Sequence, residues 1–367
     1  MDERIQRHAE IIVDHSTDVE AGDDVLLMLP EGTEDLGEAI ASELGQRGAT
    51  FFSGDSIRDV NRLQRAWLRS LDPDQVRLPE HILALVEASD VVVVVRGGAT
   101  PSEAGDVNDA TLQRFQQAVE PLMDEVMSET TWCGTQYPSP GFAQRAGMPL
   151  RGYEEFVWGA ILRDWDAVRE HQGQLADILE EGSQVRIRAG ETTDVRASID
   201  GMHAVNDYGE KNLPGGEVFT APVVDSVEGE VLFDVPIHDK GQKFENVRLT
   251  FEDGSVVDYA ADEGEELLST LLDIDGADRV GELGFGMNRN IDRATRNILF
   301  DEKMGDTVHL ALGRAYGESV GENREQNNSS LHLDFIVDMS EDSAIEVDGE
   351  RIYEDGRYVF EEPLGGQ

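Results

Sequence analysis

The stretch Asp90–Val95 reads Asp-Val-Val-Val-Val-Val, an apolar run without polar alternation. Such a run is typical of a strand that is buried on both faces of a parallel sheet. Outward from it, Asp24–Met28 and Thr50–Phe52 are predicted strands, while Glu34–Gln46 and Thr111–Met127 have helical spacing. Strands that alternate with helices predict an α/β domain with a mostly parallel sheet up to about residue 180.

The pattern changes after Gln172, where short strands separated by Gly, Asp and Asn turns replace the alternation. One helix is predicted here, over Glu263–Leu272. We therefore predict an α+β domain rich in antiparallel strands, and two domains in all, 1–180 and 181–367, because 367 residues exceed the usual size of one domain. The predicted strands are Ser183–Arg188, Asp194–Ser198, Glu230–Val235, Val247–Phe251, Val280–Phe285, Thr307–Gly313 and Leu331–Asp338.

The chain is strongly acidic, with 76 Asp and Glu residues against 30 Lys and Arg residues and a formal net charge of −46. Binding to nucleic-acid phosphates or to an anionic membrane requires a basic surface, so the charge argues against both functions. Hydrophobic residues make up 39% of the chain, which is enough to build packed cores.

The acidic residues are spread along the chain, and only four lysines accompany them. This composition predicts a halophilic protein from a salt-rich cytoplasm, because the Debye length falls to about 3 Å at 1 M salt and repulsion between surface carboxylates is then screened. We expect the urea midpoint of unfolding to be higher in multimolar KCl than in dilute buffer. Equal midpoints in the two solutions would contradict a halophilic origin.

Cys133 is the only cysteine, so no disulfide can form within the chain, and a reducing compartment such as the cytoplasm is predicted. A single cysteine is more often a small buried apolar residue than a catalytic thiol. The N-terminus begins in an amphipathic helical pattern without a basic segment followed by an apolar one, so no signal peptide is predicted. The longest apolar runs, such as Val91–Val95, are too short to span a bilayer.

Two of the eight histidines, His309 and His332, lie in apolar predicted strands, where a buried imidazole needs a partner. With a period of two, His332 and Asp334 project from the same face of one strand. That spacing suits two metal ligands, and it suits equally a hydrogen-bonded His–Asp pair without a metal. The histidines in helical, acidic surroundings are predicted to lie at the surface: His8, His15, His81 and His171.

Two glutamates, Glu217 and Glu282, are enclosed by glycine, proline and apolar residues, which makes them candidates for buried ligands. Five oxygen and nitrogen ligands without sulfur suit two metals better than one, because a catalytic zinc usually has three protein ligands and a water. Zinc, manganese and cobalt all accept such ligands. Tyr316 comes three residues after Gly313 and could turn back over the same site. The candidate ligands are Glu217, Glu282, His309, His332 and Asp334.

Five blocks of sequence in the second half share their order and spacing with a known family. The blocks are Asn212–Pro222, Gly281–Asn288, Asp301–Lys303, Thr307–Gly313 followed by Tyr316, and His332–Asp334. With them the chain resembles the M29 metallo-aminopeptidases, the aminopeptidase T group. The N-terminal stretches His8–Ile12 and Ala21–Leu27 are similar as well, so the resemblance covers nearly the whole chain. One departure is Asp306, at a position where the family usually has a glycine.

The resemblance implies a two-metal aminopeptidase that acts on short peptides. It also implies an α/β N-terminal domain, a C-terminal domain that holds the site, and a homodimer whose active sites face an enclosed cavity. Carried over by position, it implies metal ligands at Glu217, Glu282, His309, His332 and Asp334 and a catalytic residue at Tyr316.

The expected reaction is hydrolysis of the first peptide bond by a water that two divalent metals activate. Tyr316 is predicted to donate a hydrogen bond to the developing oxyanion. Either Glu217 or Glu282 is predicted to take the proton of the water and return it to the leaving amine. The α-amine of the substrate would bind a metal or a carboxylate, which restricts cleavage to the N-terminal residue.

Three other functions remain open at this point. Some relatives of the fold resemble ring-cleaving dioxygenases that act on dihydroxypyridines, and one iron could be held by His309, His332 and Asp334. That site does not require the two glutamates, which this chain retains. A second possibility is a catalytically inert protein whose carboxylates only bind cations. A third, nucleotide binding, rests on Arg96–Gly98 after the apolar strand, but neither GxGxxG nor a P-loop follows.

Overall fold

The computed structural model describes residues 2–55, 60–97, 106–239 and 242–361. The chain divides into two compact units. The first consists of Met1–Arg163 with Gly209–Gly215, and the second of Asp164–Tyr208 with Gly216–Gln367. The predicted division at residue 180 differs from this one, because the helix that ends near residue 180 belongs to the second unit.

Several helices begin at a polar residue whose side chain accepts a hydrogen bond from a main-chain N–H of the first turn. Asp2, Asn61, Asn108, Ser139 and Asp164 have this role. In chain order, the helices are α1 (Glu3–Glu10), α2 (Glu34–Arg47), α3 (Arg62–Leu68), α4 (Glu80–Glu87), α5 (Asp109–Glu129), α6 (Pro140–Arg145), α7 (Leu150–Ile161), α8 (Trp165–Glu181), α9 (Glu265–Leu272) and α10 (Ile298–Asp301).

Each strand predicted from the sequence is present within a few residues of its expected bounds, and shorter strands that were not predicted lie between them. In the first part of the chain, the strands are β1 (Asp24–Met28), β2 (Thr50–Gly54), β3 (Val91–Arg96), β4 (Thr131–Gln136), β5 (Gln184–Ala189), β6 (Thr193–Ser198), β7 (Val205–Asp207), β8 (Asn212–Leu213), β9 (Glu217–Thr220) and β10 (Glu228–Phe233). The remaining strands are β11 (Ile237–Asp239), β12 (Gln242–Phe244), β13 (Val247–Glu252), β14 (Ser255–Ala260), β15 (Val280–Gly286), β16 (Thr307–Gly313), β17 (His332–Asp338), β18 (Ser343–Val347), β19 (Glu350–Glu354) and β20 (Arg357–Tyr358).

The first unit contains a five-stranded parallel sheet in the order β2-β1-β3-β4-β8. The valine run forms β3 at its centre, where Val92 packs with Leu26, Met28, Val86 and Val126. A central strand has neighbours on both edges and side chains packed on both faces, which explains why the run has no polar alternation. The predicted α/β architecture is confirmed.

The edge strand β8 comes from the returning segment Gly209–Gly215 and pairs with β4. Thr135 Oγ1 donates to Leu213 O at 2.8 Å, so it accepts from His8 Nε2, also at 2.8 Å. His8 is fully buried, and the prediction that it lies at the surface is wrong. Its acidic neighbours Glu3 and Glu10 remain exposed or half-buried. Burial lowers the pKa of His8 to about 3 and keeps the imidazole neutral.

The second unit is built on antiparallel sheets. One has eight strands in the order β14-β13-β10-β6-β5-β18-β19-β20, one has five in the order β17-β16-β15-β9-β7, and β11 and β12 form a hairpin. Aromatic side chains join their cores: the ring centroids of Phe233 and Phe335 are 5.3 Å apart, and those of Phe244 and Phe335 are 5.5 Å apart. The predicted α+β class with antiparallel strands is confirmed.

Other predictions about the first unit can be compared with the structure as well. None of the helices in the described ranges combines the length and apolar character needed to cross a bilayer. Cys133 is fully buried in β4, as expected for a small apolar residue. Within the glycine motif considered for nucleotide binding, Arg96 ends β3, whereas Gly98 lies outside the described residues.

Candidate metal centre

The candidate ligands lie on the five-stranded antiparallel sheet of the second unit, called the site sheet from here on. Glu217 begins β9, Glu282 lies in β15 and His309 lies in β16. His332 begins β17, and Asp334 follows it by two residues. Four adjacent strands therefore supply the five side chains.

The register of the site sheet brings these side chains to one face. Glu282, Ala311 and Asp334 lie opposite one another across β15, β16 and β17. Along β15, Gly284 lies opposite His309 and Gly286 lies opposite Glu217. Residues directly opposite in a sheet project to the same face, and residues two apart on a strand do so as well. All five candidate ligands consequently share a face, as the alternation within β17 predicted for His332 and Asp334.

Small residues on this face leave the space that the ligand side chains occupy. A Cβ built on Gly284 would overlap the imidazole of His309, so no larger residue fits there without moving the ring. Ala311, which is fully buried, lies between Glu282 and Asp334 in the sheet, and its small side chain leaves room for both carboxylates. Gly284 thus has a role in the site that the sequence analysis did not assign.

The distances define two groups of possible ligand atoms that share one residue. His309 Nε2 lies 3.2 Å from Glu282 Oε1 and 3.4 Å from Glu217 Oε2. His332 Nε2 lies 3.4 Å from Asp334 Oδ1. Ligand atoms of Glu217, Glu282 and His309 all lie within 4.8 Å of one another, and so do those of Glu282, His332 and Asp334. We call these the first group and the second group.

Several of these polar atoms are buried without a hydrogen-bond partner in the described part of the chain. They are Glu217 Oε2, Glu282 Oε2, His309 Nδ1 and Asp334 Oδ1. A buried polar atom without a partner is costly, and a bound cation would compensate carboxylate oxygens in this position. The donor set of three carboxylates and two imidazoles therefore fits divalent cations.

The charges of the site are visible in the pKa values of its residues. Burial raises the pKa of Glu217 to about 8, because the nearby charges of Lys303 and His309 offset only part of its desolvation. Burial lowers the pKa of His309, but its hydrogen bond to Glu282 and the charge of Glu217 outweigh burial and raise it to about 9. The site favours positive charge, which is a property expected of a cation site.

Tyr316 lies beside these groups, at the end of the loop that follows β16. Its ring centroid is 4.8 Å from that of His332 and 6.2 Å from that of Phe219. Although 38% of Tyr316 is exposed, desolvation of its phenol and the charges of Glu282 and Asp334 raise its pKa above the usual range. The phenol therefore keeps its proton at neutral pH and can act as a hydrogen-bond donor.

Lys303, which was not predicted as a site residue, is completely buried next to the first group. Its Nζ lies 2.8 Å from Glu217 Oε1 and 3.6 Å from Asp207 Oδ2, and it also contacts Glu302. The carboxylates outweigh the desolvation of the ammonium and raise the pKa of Lys303. The signal was present in the quoted block Asp301–Lys303, but a lysine beside acids in such a chain is typical of a solvated surface.

The main chain around Glu217 is held by a buried glutamine of α8. The two hydrogens of Gln172 Nε2 are shared among three oxygens, Glu217 O at 3.0 Å, Asp207 O at 3.0 Å and Asn206 Oδ1 at 2.7 Å. Gly216, just before Glu217, has a φ of +122° and lies so close to Asn288 that a Cβ would overlap it. The glycine pair of this block is thus needed to bring the backbone into place.

Asp306, the departure from the family pattern, lies in the turn before β16 with a φ of +58°. Aspartate tolerates this left-handed conformation better than most residues. Its carboxylate accepts from Arg289 Nη2 at 2.9 Å and from Arg289 Nε at 3.1 Å. The turn is therefore closed by an ion pair that a glycine could not form.

A ligand set of carboxylate oxygens and imidazoles on a rigid sheet is that of a metal-dependent enzyme. The sequence profile of the Thermophilic metalloprotease (M29) family matches residues 1–358. The chain therefore belongs to the M29 family of metalloproteases, and it is a peptide hydrolase. Among its relatives, aminopeptidase T of Thermus thermophilus is 28% identical, and the match covers 96% of this chain and 95% of that protein.

Two solved structures share the fold. Wild-type AmpT from Thermus thermophilus superposes with a TM-score of 0.83 at 24% identity, over 97% of this chain and 99% of that one. The 2,5-dihydroxypyridine dioxygenase from Pseudomonas putida KT2440 superposes with a TM-score of 0.63 at 14% identity, over 99% of each chain. One fold thus serves two kinds of chemistry, so the function has to be argued from the site.

Proposed function

We propose that the protein is a metal-dependent aminopeptidase that removes the N-terminal residue of short peptides. The observation that carries the proposal is the sharing of Glu282 between two groups of ligand atoms on one face of the site sheet. A shared carboxylate between two groups is an arrangement that suits a pair of divalent cations. The similarity to an aminopeptidase over nearly the whole chain supports the same conclusion.

Glu217, Glu282 and His309 would hold one cation, and Glu282, His332 and Asp334 would hold the other. Zinc, cobalt or manganese fits these ligands, because hard oxygen and imidazole donors suit all three. When bound, the cations would supply Lewis acidity for the peptide carbonyl and a water of lowered pKa.

The residues of the chain position and protonate the substrate. Tyr316, which keeps its proton, donates a hydrogen bond to the oxygen of the attacked carbonyl as negative charge develops there. Glu217 or Glu282 takes a proton from the attacking water and returns that proton to the leaving amine. The excess of carboxylates attracts the α-ammonium of a peptide, which supports cleavage from the N-terminus.

Removal of divalent cations is the test of this proposal. Treatment with a chelator should abolish hydrolysis of leucyl and alanyl amides, and added zinc, cobalt or manganese should restore it. Elemental analysis of the active protein should find two metal ions per chain. Because of the acidic surface, both measurements should be made in concentrated KCl.

The dioxygenase function is the main alternative, because a structure with that activity shares the fold. A single iron could bind to His309, His332 and Asp334, but Glu217 and Glu282 would then have no role, although both lie within the same cluster. One iron per chain and ring cleavage of a dihydroxypyridine would favour this alternative. Protein with a full metal content that is inert toward aminoacyl amides and short peptides would favour an inert metal-binding homologue.

The setting of the enzyme is part of the proposal. The excess of 76 acidic over 30 basic residues supports a halophilic origin, and a single cysteine supports a reducing cytoplasm. Resemblance to the M29 aminopeptidases supports a homodimer, for which light scattering should give twice the mass of one chain. The acidic charge supports short peptides rather than nucleic acids or membranes as partners.

A further inference from the structure

Lys303 is an ammonium group enclosed among carboxylates, with no surface in contact with solvent. Its Nζ contacts Glu217, Asp207 and Glu302, the first two at 2.8 and 3.6 Å. A buried charge is tolerated only when partners compensate its loss of hydration. Because Lys303 is completely covered, it does not reach a substrate, and any effect on the reaction must pass through its partners.

The contact with Glu217 assigns different tasks to the two oxygens of that carboxylate. Oε1 accepts from Lys303, whereas Oε2 lies 3.4 Å from His309 Nε2 and has no hydrogen-bond partner among the described residues. The main-chain oxygen of Glu217 is held by Gln172 at the same time. Glu217 is thus held at its main-chain oxygen and at Oε1 of its carboxylate, which leaves Oε2 to face the first group.

We propose that Lys303 is a positioning residue that makes Glu217 a ligand through one oxygen only and thereby completes the first group. The proposal rests on the metal site of the proposed function. The second group contains neither Lys303 nor its partners, since Glu282, His332 and Asp334 have no contact with Nζ in the described ranges. The two cation positions should therefore depend unequally on Lys303.

A purely electrostatic role would act in the opposite direction. An ammonium group next to a cation site repels the cation, so its removal would strengthen binding if charge alone mattered. Loss of a group that orients a ligand weakens binding, typically by about 10- to 100-fold in metal affinity. The sign of the change in affinity consequently separates positioning from charge.

The test is a titration of chelator-treated protein with Co²⁺ alone, followed by absorption spectroscopy in concentrated KCl. Wild-type protein should bind two Co²⁺ ions per chain. Lys303→Met should bind one of them with unchanged affinity and the other about 10- to 100-fold more weakly. Unchanged or tighter binding of both ions, or equal weakening of both, would overturn the proposal.

A double variant provides a matched control for charge. Lys303→Met combined with Glu302→Gln removes one positive and one negative charge, so the net charge around Glu217 equals that of the wild-type protein. If Lys303 acts by positioning Glu217, the double variant should still bind one of the two ions more weakly than the wild-type protein does. If charge alone mattered, Lys303→Met would bind more tightly and the double variant would return to wild-type affinity for both ions, and this result would overturn the proposal.

Folding and function are controlled separately. If Lys303→Met does not fold, as judged by circular dichroism, Lys303→Arg keeps the charge but changes the geometry, and it should weaken the same single ion. Wild-type affinity for both ions in Lys303→Arg would then overturn the proposal. Failure of the wild-type protein to bind Co²⁺ would instead contradict the proposed function, so the two failures are distinguishable.

Discussion

Replacement of Glu282 by glutamine is expected to lower the rate of leucyl-amide hydrolysis by about a thousandfold or more. Glu282 belongs to both groups of ligand atoms, so its loss affects both cation positions, whereas Glu217 and His309 each belong to one. Glutamine preserves the size of the side chain but removes its charge, and an NH2 group replaces one of the two carboxylate oxygens. Stabilisation of the transition state by bound metal is worth several kcal/mol, and about 4 kcal/mol corresponds to a thousandfold.

The measurement is the initial rate together with the metal content of the same preparation. Glu350→Gln is a suitable control, because Glu350 is an exposed glutamate on β19 of the same unit, and its replacement should leave the rate and the metal content unchanged. Glu217→Gln and His309→Ala should also abolish detectable hydrolysis. A Glu282→Gln protein that keeps two metals and more than about a tenth of the wild-type rate would contradict the assignment.

Replacement of Gly284 by alanine is expected to disable the site although Gly284 carries no functional group. The added Cβ would overlap the imidazole of His309. The backbone cannot move away easily, because β15 is paired with β9 on one side and with β16 on the other. We expect the ring to be displaced, the free energy of unfolding to fall by about 1–3 kcal/mol, and the rate to fall by about a hundredfold.

The matched control is Gly173→Ala in α8 of the same unit. A Cβ at Gly173 would find its nearest neighbour at 3.9 Å, which is an ordinary contact. Alanine is favoured over glycine in a helix by up to about 1 kcal/mol, so this variant should be as stable as the wild-type protein or slightly more stable. A Gly284→Ala protein with wild-type rate, stability and metal content would show that the ring is free to move.

Much of the fold could be predicted from local sequence patterns, because each of these patterns corresponds to one element of the structure. The valine run became the central strand β3, and the alternation in β17 put His332 and Asp334 on one face. The convergence of the ligands was not predictable from periodicity. It depends on the pairing of β9, β15, β16 and β17, which joins distant segments. The local surroundings of the five ligands marked each of them as a candidate, but only the resemblance to the M29 family implied that they form one site.

Lys303 and His8 were missed for the same physical reason, because each is a charged or polar residue whose buried surroundings come from distant parts of the chain. Lys303 and Glu217 are 86 residues apart, and His8 and Thr135 are 127 residues apart. In the sequence, both Lys303 and His8 have acidic neighbours and look like surface residues. Gln172 of α8 is a similar case, because its partners follow it by more than 30 residues.

The returning segment Gly209–Gly215 has a consequence for folding during synthesis on the ribosome. The first unit remains one strand short until residue 213 has left the exit tunnel, because β8 pairs with β4 only then. Until that moment the edge of β4 is open, and an open edge is a template for association with other nascent chains. An N-terminal fragment that ends at Arg163 would keep this vulnerable edge permanently.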